Sequence, residues 1–170
     1  FDGKDDWVSV DPNLFEKNIF KDGITVCAWA KHEFESKFIP PMRIFRTLNL
    51  VGGGGARWFS VEANRNGQPY FHLGTAANKF TLSKLKFIPH QWHHIGAQIN
   101  SGGIFGLFDG KIHNLKKQAH SEYIEKLGVG QDGIYGIGIG ASPGPLGQWK
   151  GQLDDFKIFN RILSQSEVLA

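Results

Sequence analysis

The sequence is poor in several features that mark whole classes of protein. Its 170 residues include one cysteine, Cys27, which excludes an internal disulfide. No apolar run approaches the roughly 18 residues that a membrane-spanning helix needs. The formal net charge is only +3, and the clustered basic stripe typical of nucleic-acid-binding domains is absent. We therefore predict a domain that binds no nucleic acid and has no membrane span.

Signals for common catalytic and metal sites are missing as well. The chain has no P-loop, no Gly-x-Ser-x-Gly motif and no cysteine–histidine arrangement, and its seven histidines lack zinc-ligand spacing. His93 and His94 are sequence neighbours, which point to opposite faces of a strand, so we interpret them as hydrogen-bonded structural residues. Cys27 lies within an apolar run and is interpreted as a buried small hydrophobe.

Short runs of β-branched and aromatic residues, separated by glycine-rich turns, are abundant. They predict strands at residues 24–30, 57–63, 69–73, 91–100, 103–108, 111–115, 136–140 and 152–159. Asn66-Gly67 and Asp109-Gly110 are expected to be hairpin turns. Helix signals are nearly absent, apart from a capping box formed by Ser164 and Glu167 before a short C-terminal turn. We predict an all-β sandwich or barrel, formed as one domain over residues 1–170.

Four blocks span the chain, and their sequences are FDGKDDWVSV from Phe1, ITVCAWA from Ile24, QWHHIGA from Gln91 with LFDGK from Leu107, and WKGQLDDFKIFNRILS from Trp149. In this order and spacing they resemble the laminin G-like, concanavalin A-like lectin jelly-roll family. The resemblance implies two packed antiparallel sheets, one of them concave, with the N- and C-terminal strands side by side.

The resemblance does not fix a function, because the family includes carbohydrate-binding modules, lectin-like domains of sialidases, pentraxins and adhesion modules. We expect a non-catalytic, lectin-like carbohydrate-binding module that belongs to a larger secreted or cell-surface protein. The chain begins Phe1-Asp2-Gly3 rather than with methionine, as an excised or processed module would. The alternative is a protein-interaction or structural adhesion module.

A polysaccharide-active enzyme is the remote alternative. Jelly-roll glucanases need paired carboxylates on one strand face, and no Glu-x-Asp-x-Glu pattern is present. Jelly-roll lyases use Gln-x-His together with a tyrosine and an arginine; Gln91-Trp-His93 fits that tripeptide, but the other lyase motifs are missing. We therefore expect no catalysis by this domain, although its parent protein could be an enzyme.

Acidic residues indicate a structural calcium site. Asp154 shares its strand parity with the apolar Phe156, and a carboxylate on an apolar face is costly unless it is paired or binds a metal. The resemblance implies that the N-terminal strand lies near this one, where family members often hold Ca²⁺. Carboxylate oxygens suit Ca²⁺, so the predicted ligands are Asp2, Asp6 and Asp154, with Asp5 solvated. Alternatively, Asp154 braces the N-terminal strand through hydrogen bonds to its N–H groups.

Glycan binding calls for flat aromatic faces and planar polar groups, and the exposed candidates of this kind are Arg57, Trp58, Tyr70, His72 and Trp149. Trp58 and His72 are expected on the same face of one hairpin, and Trp149 follows a loop rich in glycine and proline. The alternative is that the large aromatics belong to the core. Lysines at positions 79, 84, 86, 116 and 117 slightly favour an anionic glycan, unless they form an ordinary solvated rim.

Overall fold

The computed structural model describes residues 1–11, 14, 19, 22–33, 41–51, 55–57, 59–73, 79–117, 134–141 and 147–168. These residues form strands joined by turns, together with one short helix. The elements are β1 (Val8–Val10), β2 (Ile24–His32), β3 (Met42–Val51), β4 (Gly55–Arg57), β5 (Phe59–Ala63), β6 (Pro69–Leu73), β7 (Lys79–Thr81), β8 (His93–Asn100), β9 (Gly103–Phe108), β10 (Lys111–Lys117), β11 (Ile134–Ile139), β12 (Gly151–Phe159) and α1 (Gln165–Val168). No helix in this described part is long and apolar enough to cross a membrane.

The strands form two antiparallel sheets. The seven-stranded sheet has the order β1-β11-β3-β5-β6-β7, with β4 pairing with β3 beside this path. The five-stranded sheet has the order β10-β9-β8-β2-β12. Neighbours in these sheets come from distant parts of the chain, as in a jelly roll, so the predicted all-β sandwich with a short C-terminal helical turn is confirmed.

The apolar positions that alternate along each strand meet between the sheets. On β2 these are Ile24, Val26, Ala28 and Ala30, each at most 1% exposed. On β5 they are Phe59, Val61 and Ala63, and the same core takes in residues of β3, β6, β8, β9 and β11. The other face of each strand therefore points away from the core, and those outward faces carry the candidate sites.

Turn chemistry acts as the sequence predicts. Asn64 accepts hydrogen bonds at Oδ1 from the backbone N–H groups of Asn66 (2.9 Å) and Gln68 (3.1 Å), which closes the β5–β6 hairpin. Asp109 and Gly110 have φ values of 47° and 75° in the β9–β10 turn, a conformation that Asp-Gly adopts readily. The two hairpins set the register of four strands.

The capping box before α1 is confirmed. The N–H of Ser164 donates to Glu167 Oε2 at 2.8 Å, and the N–H of Glu167 donates to Ser164 Oγ at 3.4 Å. At the other end of the chain Asp2 forms a β-bridge with Lys150, next to the start of β12. The first residues thus lie beside the start of the last strand, but β1 joins the other sheet, so the implied side-by-side placement of the N- and C-terminal strands is wrong.

Four strands, β1, β3, β4 and β7, lie outside the segments that the sequence patterns predict, apart from the last residue of β4. β7 (Lys79–Thr81) is only three residues long, and β3 shows no clean alternation. The pairing of β3 with β5 shifts between Arg43 and Phe45, so that Ile44 and Phe45 are both 1% exposed in the core. A bulge of this kind interrupts the two-residue period that identifies a strand.

Candidate functional site

A face of polar side chains covers the outer side of the seven-stranded sheet. Strand register places them in two rows, and we call this surface the polar face: Arg43, Glu62, Tyr70 and Thr81 in one row, and Arg46, Ser60, His72 and Lys79 in the other. Each row crosses β3, β5, β6 and β7. Polar groups from four strands are thus brought side by side.

Local sequence explains why these side chains point outward. Phe59, Val61 and Phe71 enter the core, so the residues between them on β5 and β6 must face the other way. On β3 the bulge at residues 44–45 buries two consecutive apolar side chains and leaves an arginine on each side of them facing outward. One core thus orients all three strands.

Glu62 lies at the centre of the polar face and is 3% exposed. Its Oε1 accepts a hydrogen bond from Ser60 Oγ at 2.5 Å and lies 3.6 Å from Arg43 Nε. A carboxylate so far from water needs such partners, because an uncompensated buried charge costs several kcal/mol. Arg43 is itself held in place, since its backbone N–H donates to Gly147 O at 2.9 Å.

The surroundings shift the pKa values of Arg46 and Tyr70, two residues of the polar face near Glu62. Burial lowers the pKa of Arg46, and the nearby Arg43 lowers it further, while Glu62 opposes the effect. Burial and the charge of Glu62 raise the pKa of Tyr70. At neutral pH Arg46 stays cationic and Tyr70 stays a neutral phenol, so the face offers guanidinium donors beside a hydroxyl and a carboxylate.

The structure brings together Tyr70 and His72, two of the candidate glycan-binding residues. Their ring centroids lie 6.3 Å apart. Tyr70 is half-buried, but His72 is only 7% exposed, so the expectation of an exposed histidine is wrong. Arg57 ends β4 next to β3, where its side chain is outside the described part, and Trp58 lies outside the described residues.

The interpretation of Trp149 as a binding aromatic is wrong. The residue is 0% exposed and forms part of the core, with its ring 5.8 Å from that of Phe87 and 6.4 Å from that of His32. A tryptophan has a large apolar surface, and its removal from water outweighs its position next to a turn-rich segment. Trp149 therefore stabilises the sandwich instead of contacting a ligand.

Sequence reasoning missed both arginines of the polar face. Arg43 and Arg46 lie on β3, a strand that its bulge hides from pattern analysis. Ser60 and Glu62 were detectable, because alternation along β5 predicts that they point away from the core, and a carboxylate on a strand with a buried neighbour on each side is unusual. The missing signal was long-range pairing between β3 and β5.

A second cluster of candidate ligands lies near the N-terminus. Ligand oxygens of Asp2, Asp5 and Asp6 all lie within 4.8 Å of one another, and the three residues are exposed. The backbone N–H of Asp2 donates to Asp6 Oδ2 at 2.7 Å, which holds the Asp6 carboxylate beside the backbone of Asp2. Such an all-oxygen donor set suits a hard cation. Two of the three predicted calcium ligands are thus adjacent, and Asp5 joins them.

Asp154 is not on the apolar face, so the parity argument for it is wrong. It pairs with Trp29, and the register of β12 shifts between Asp154 and Lys157, where Asp155 takes a φ of 49°. This bulge reverses the alternation, because Leu153 and Phe156 both pack on the core while Asp154 is exposed. Its Oδ1 accepts a hydrogen bond from the N–H of Asp155 at 2.8 Å, which differs from the predicted brace to the N-terminal strand.

The structural interpretation of His93 and Cys27 is confirmed. His93 is 2% exposed, its Nε2 accepts from the N–H of Ile88 at 2.9 Å, and its Nδ1 lies 2.9 Å from Asp109 Oδ2. Burial raises the pKa of the Cys27 thiol to about 11, which keeps it protonated at neutral pH. Both residues are buried, which keeps them from reacting with molecules in solution.

Comparison with known proteins adds a family to this geometry. A laminin G family model, described as the concanavalin A-like lectin/glucanases superfamily, matches residues 2–169. No curated protein sequence matches the chain significantly.

Several solved structures share the fold. Domain 4 of an extracellular GH43 arabinanase from Geobacillus stearothermophilus, in complex with arabinotriose, has a TM-score of 0.66 at 15% identity over 99% of this chain and 73% of that one. The CBM40 of the Ruminococcus gnavus IT-sialidase has a TM-score of 0.66 at 11% identity over 89% and 83%. Trypanosoma rangeli sialidase in complex with sialic acid has a TM-score of 0.61 at 17% sequence identity. The match covers 88% of this chain but only 22% of that enzyme.

Proposed function

The chain belongs to the concanavalin A-like lectin/glucanases superfamily, and we propose that it is a non-catalytic carbohydrate-binding domain whose glycan lies on the polar face. The observation that carries this proposal is the pair of polar rows across four strands, with Glu62 held between Ser60 and Arg43. A glycan site needs donors and acceptors fixed at several points, and these rows supply both.

The charge of the polar face favours an anionic glycan. Arg43, Arg46 and Lys79 contribute three positive charges and Glu62 one negative charge, a sum of +2 over the described side chains. Guanidinium groups bind carboxylates and sulfates through paired hydrogen bonds, and a sheltered setting strengthens those bonds. Uronate-containing, sulfated or sialylated oligosaccharides are therefore the proposed ligand class, with the half-buried Tyr70 offering a ring for a sugar face.

The absence of a carboxylate pair supports a binding role over catalysis. Glu62 is the single carboxylate of the polar face among the side chains that the structure describes. Glycoside hydrolysis ordinarily needs two carboxylates flanking the scissile bond. Similar folds occur in an arabinanase domain solved with arabinotriose and in the CBM40 of a sialidase, which supports an accessory role beside an enzyme. We place such a parent protein outside the cell or at its surface.

Calcium is a separate part of the proposal. Asp2, Asp5 and Asp6 supply oxygen ligands close enough to share one ion, and a bound Ca²⁺ would fasten the first residues beside the start of β12. Ca²⁺ takes about six to eight oxygens, so backbone carbonyls and water would complete the shell. The ion would be structural and apart from the glycan, since Asp2 bridges Lys150 rather than a residue of the polar face.

The test is an oligosaccharide array followed by calorimetry with the best anionic hit. Arg46→Gln removes one guanidinium and is expected to weaken binding about tenfold or more, since a charge-assisted hydrogen bond contributes about 1.5–3 kcal/mol. Arg65→Gln, at an exposed turn residue, is the matched control and should bind like the wild type. Circular dichroism checks that each variant folds.

The proposal fails if Arg46→Gln and Arg65→Gln bind the glycan equally well, or if no glycan on the array binds. The second outcome would favour the protein-interaction module that the sequence leaves as the alternative.

A further inference from the structure

A cavity of about 300 Å³ opens on the outer side of the five-stranded sheet, so the core separates it from the polar face. Its apolar lining comes from β2, β12 and the C-terminal segment, and consists of Cys27, Phe159, Leu163 and Val168. Cys27, Leu163 and Val168 are each at most 7% exposed and form an apolar cluster of their own. The segment that follows β12 covers part of this sheet face, and the cavity left between them is large enough for a small molecule.

The polar lining of the cavity is acidic. Asp109, Asp155 and Glu167 bring three carboxylates to the lining, and Lys157 brings one cation. Lys157 Nζ donates to Asp155 Oδ2 at 2.7 Å, and Glu167 is paired with an arginine outside the lining. The carboxylate without a cationic lysine or arginine partner among these three is that of Asp109, which leaves an excess of one negative charge. His94 also lines the cavity, and burial lowers its pKa, so it adds no charge at neutral pH. A ligand that complements this lining carries positive charge.

Backbone conformation or hydrogen bonds position each of the three carboxylates. Asp155 takes a φ of 49° at the β12 bulge, and Asp109 takes a φ of 47° in the β9–β10 turn. Glu167 is held by the capping box and by Arg161, whose Nη2 donates to Oε1 at 2.6 Å. Both aspartates with left-handed backbone line the same cavity.

An aromatic ring completes the lining. Trp29 is 42% exposed, although its strand β2 has a neighbouring strand on each side. Its ring lies 5.4 Å from the His94 ring. Cations bind favourably over a tryptophan face. Acidic groups, an exposed indole and an apolar floor are a combination that recognises an apolar body carrying an ammonium group.

We propose that this cavity binds a small organic cation, an alkyl- or arylalkyl-ammonium compound, independently of the glycan. The apolar body packs against Cys27, Leu163 and Val168. The ammonium group lies near Asp109 and beside the Asp155–Lys157 pair, within reach of the Trp29 ring.

The test uses three probes of nearly equal size, phenethylamine, phenethyl alcohol and hydrocinnamate, titrated into ¹⁵N-labelled protein at neutral pH. Phenethylamine should bind tightest and shift amide signals of Asp109, Asp155 and Leu163, and hydrocinnamate should bind weakest. Equal affinity for the amine and the alcohol, or amide shifts confined to other surfaces, would overturn the proposal.

Variants test the residues themselves. Asp155→Asn removes a charge while keeping a residue that tolerates left-handed backbone, and should raise the phenethylamine Kd about two- to fivefold. Trp29→Leu should raise it by a similar factor through loss of the ring. The matched control is Asp22→Asn, at an exposed aspartate that does not line the cavity. If Asp22→Asn and Asp155→Asn change the Kd equally, the effect is that of the general surface charge and the proposed site is wrong.

Discussion

We predict that Gln98→Leu lowers the free energy of unfolding by about 3 kcal/mol and loosens the C-terminal segment. Gln98 is 1% exposed on the outer side of β8. Its Oε1 accepts from the N–H of Leu163 at 2.5 Å and from Thr25 Oγ1 at 2.8 Å, and its Nε2 donates to Leu163 O at 3.3 Å. This one amide thus fastens the residues that precede α1 to the five-stranded sheet.

The magnitude follows from the groups that lose a partner. Leucine has nearly the same size but cannot pair with the N–H and C=O of Leu163, and a buried polar group without a partner costs about 1–3 kcal/mol. Thr25 Oγ1 still contacts Arg161 O at 2.7 Å, so its loss is small. The added apolar surface of the leucine offsets part of the cost. Two unpaired main-chain groups, less this offset, give the figure of about 3 kcal/mol.

Urea unfolding measures the loss, and hydrogen exchange at the Leu163 amide shows where it arises. Gln152→Leu, at an exposed position of β12, is the control and should change stability by less than about 0.5 kcal/mol. If Gln98→Leu proves as stable as the control, or if exchange at Leu163 is unchanged, the side chain does not hold this segment.

Three further predictions concern single groups. Added Ca²⁺ should raise the melting temperature of the wild type and of Asp154→Asn but not of Asp6→Asn; equal responses of the two variants would remove Asp6 from the site. Hydrogen bonds from Arg161 and Ser164 lower the pKa of Glu167 from 4.5 to about 2, so its stabilising effect should be present above pH 4.5 and lost as the pH falls toward 2. Melting curves of wild type and Glu167→Gln should therefore converge at low pH, and a constant difference would contradict this. Cys27, with its thiol pKa near 11, should react with Ellman's reagent at pH 8 only after unfolding, which a fast native reaction would disprove.

Local patterns predict those parts of the fold that depend on neighbouring residues. The β5–β6 hairpin follows from alternation on both strands and from Asn66-Gly67 between them. The capping box likewise depends on two residues three positions apart, Ser164 and Glu167. In each case the energy that selects the structure arises within a few residues, so the sequence carries the full signal.

Side-chain roles are harder to predict, because burial depends on the whole sandwich. Trp149 follows a turn-rich segment, yet it is fully enclosed by groups such as Phe87 and His32, which lie more than 50 positions away. The prediction that Asp154 lies on the apolar face is wrong for a different reason. Its strand carries a bulge at Asp155, a residue whose sequence gives no warning of a left-handed conformation. One inserted residue exchanges the two faces of a strand, so every parity argument beyond it reverses.

A strand bulge also explains why the arginines of the polar face could not be predicted from the sequence. A strict two-residue period that starts at Met42 and Ile44 would send Arg46 into the core and Phe45 out to the surface. The bulge at residues 44–45 prevents this, because it buries Ile44 and Phe45 together and returns Arg46 to the side of Arg43. Burying one phenylalanine is worth about 1.5–3 kcal/mol, whereas an arginine facing the core would cost more than that. The packing preference of Phe45 thus sets the register that places Arg46 opposite Ser60 and Arg43 opposite Glu62, so the proposed binding chemistry depends on an irregularity that core packing selects.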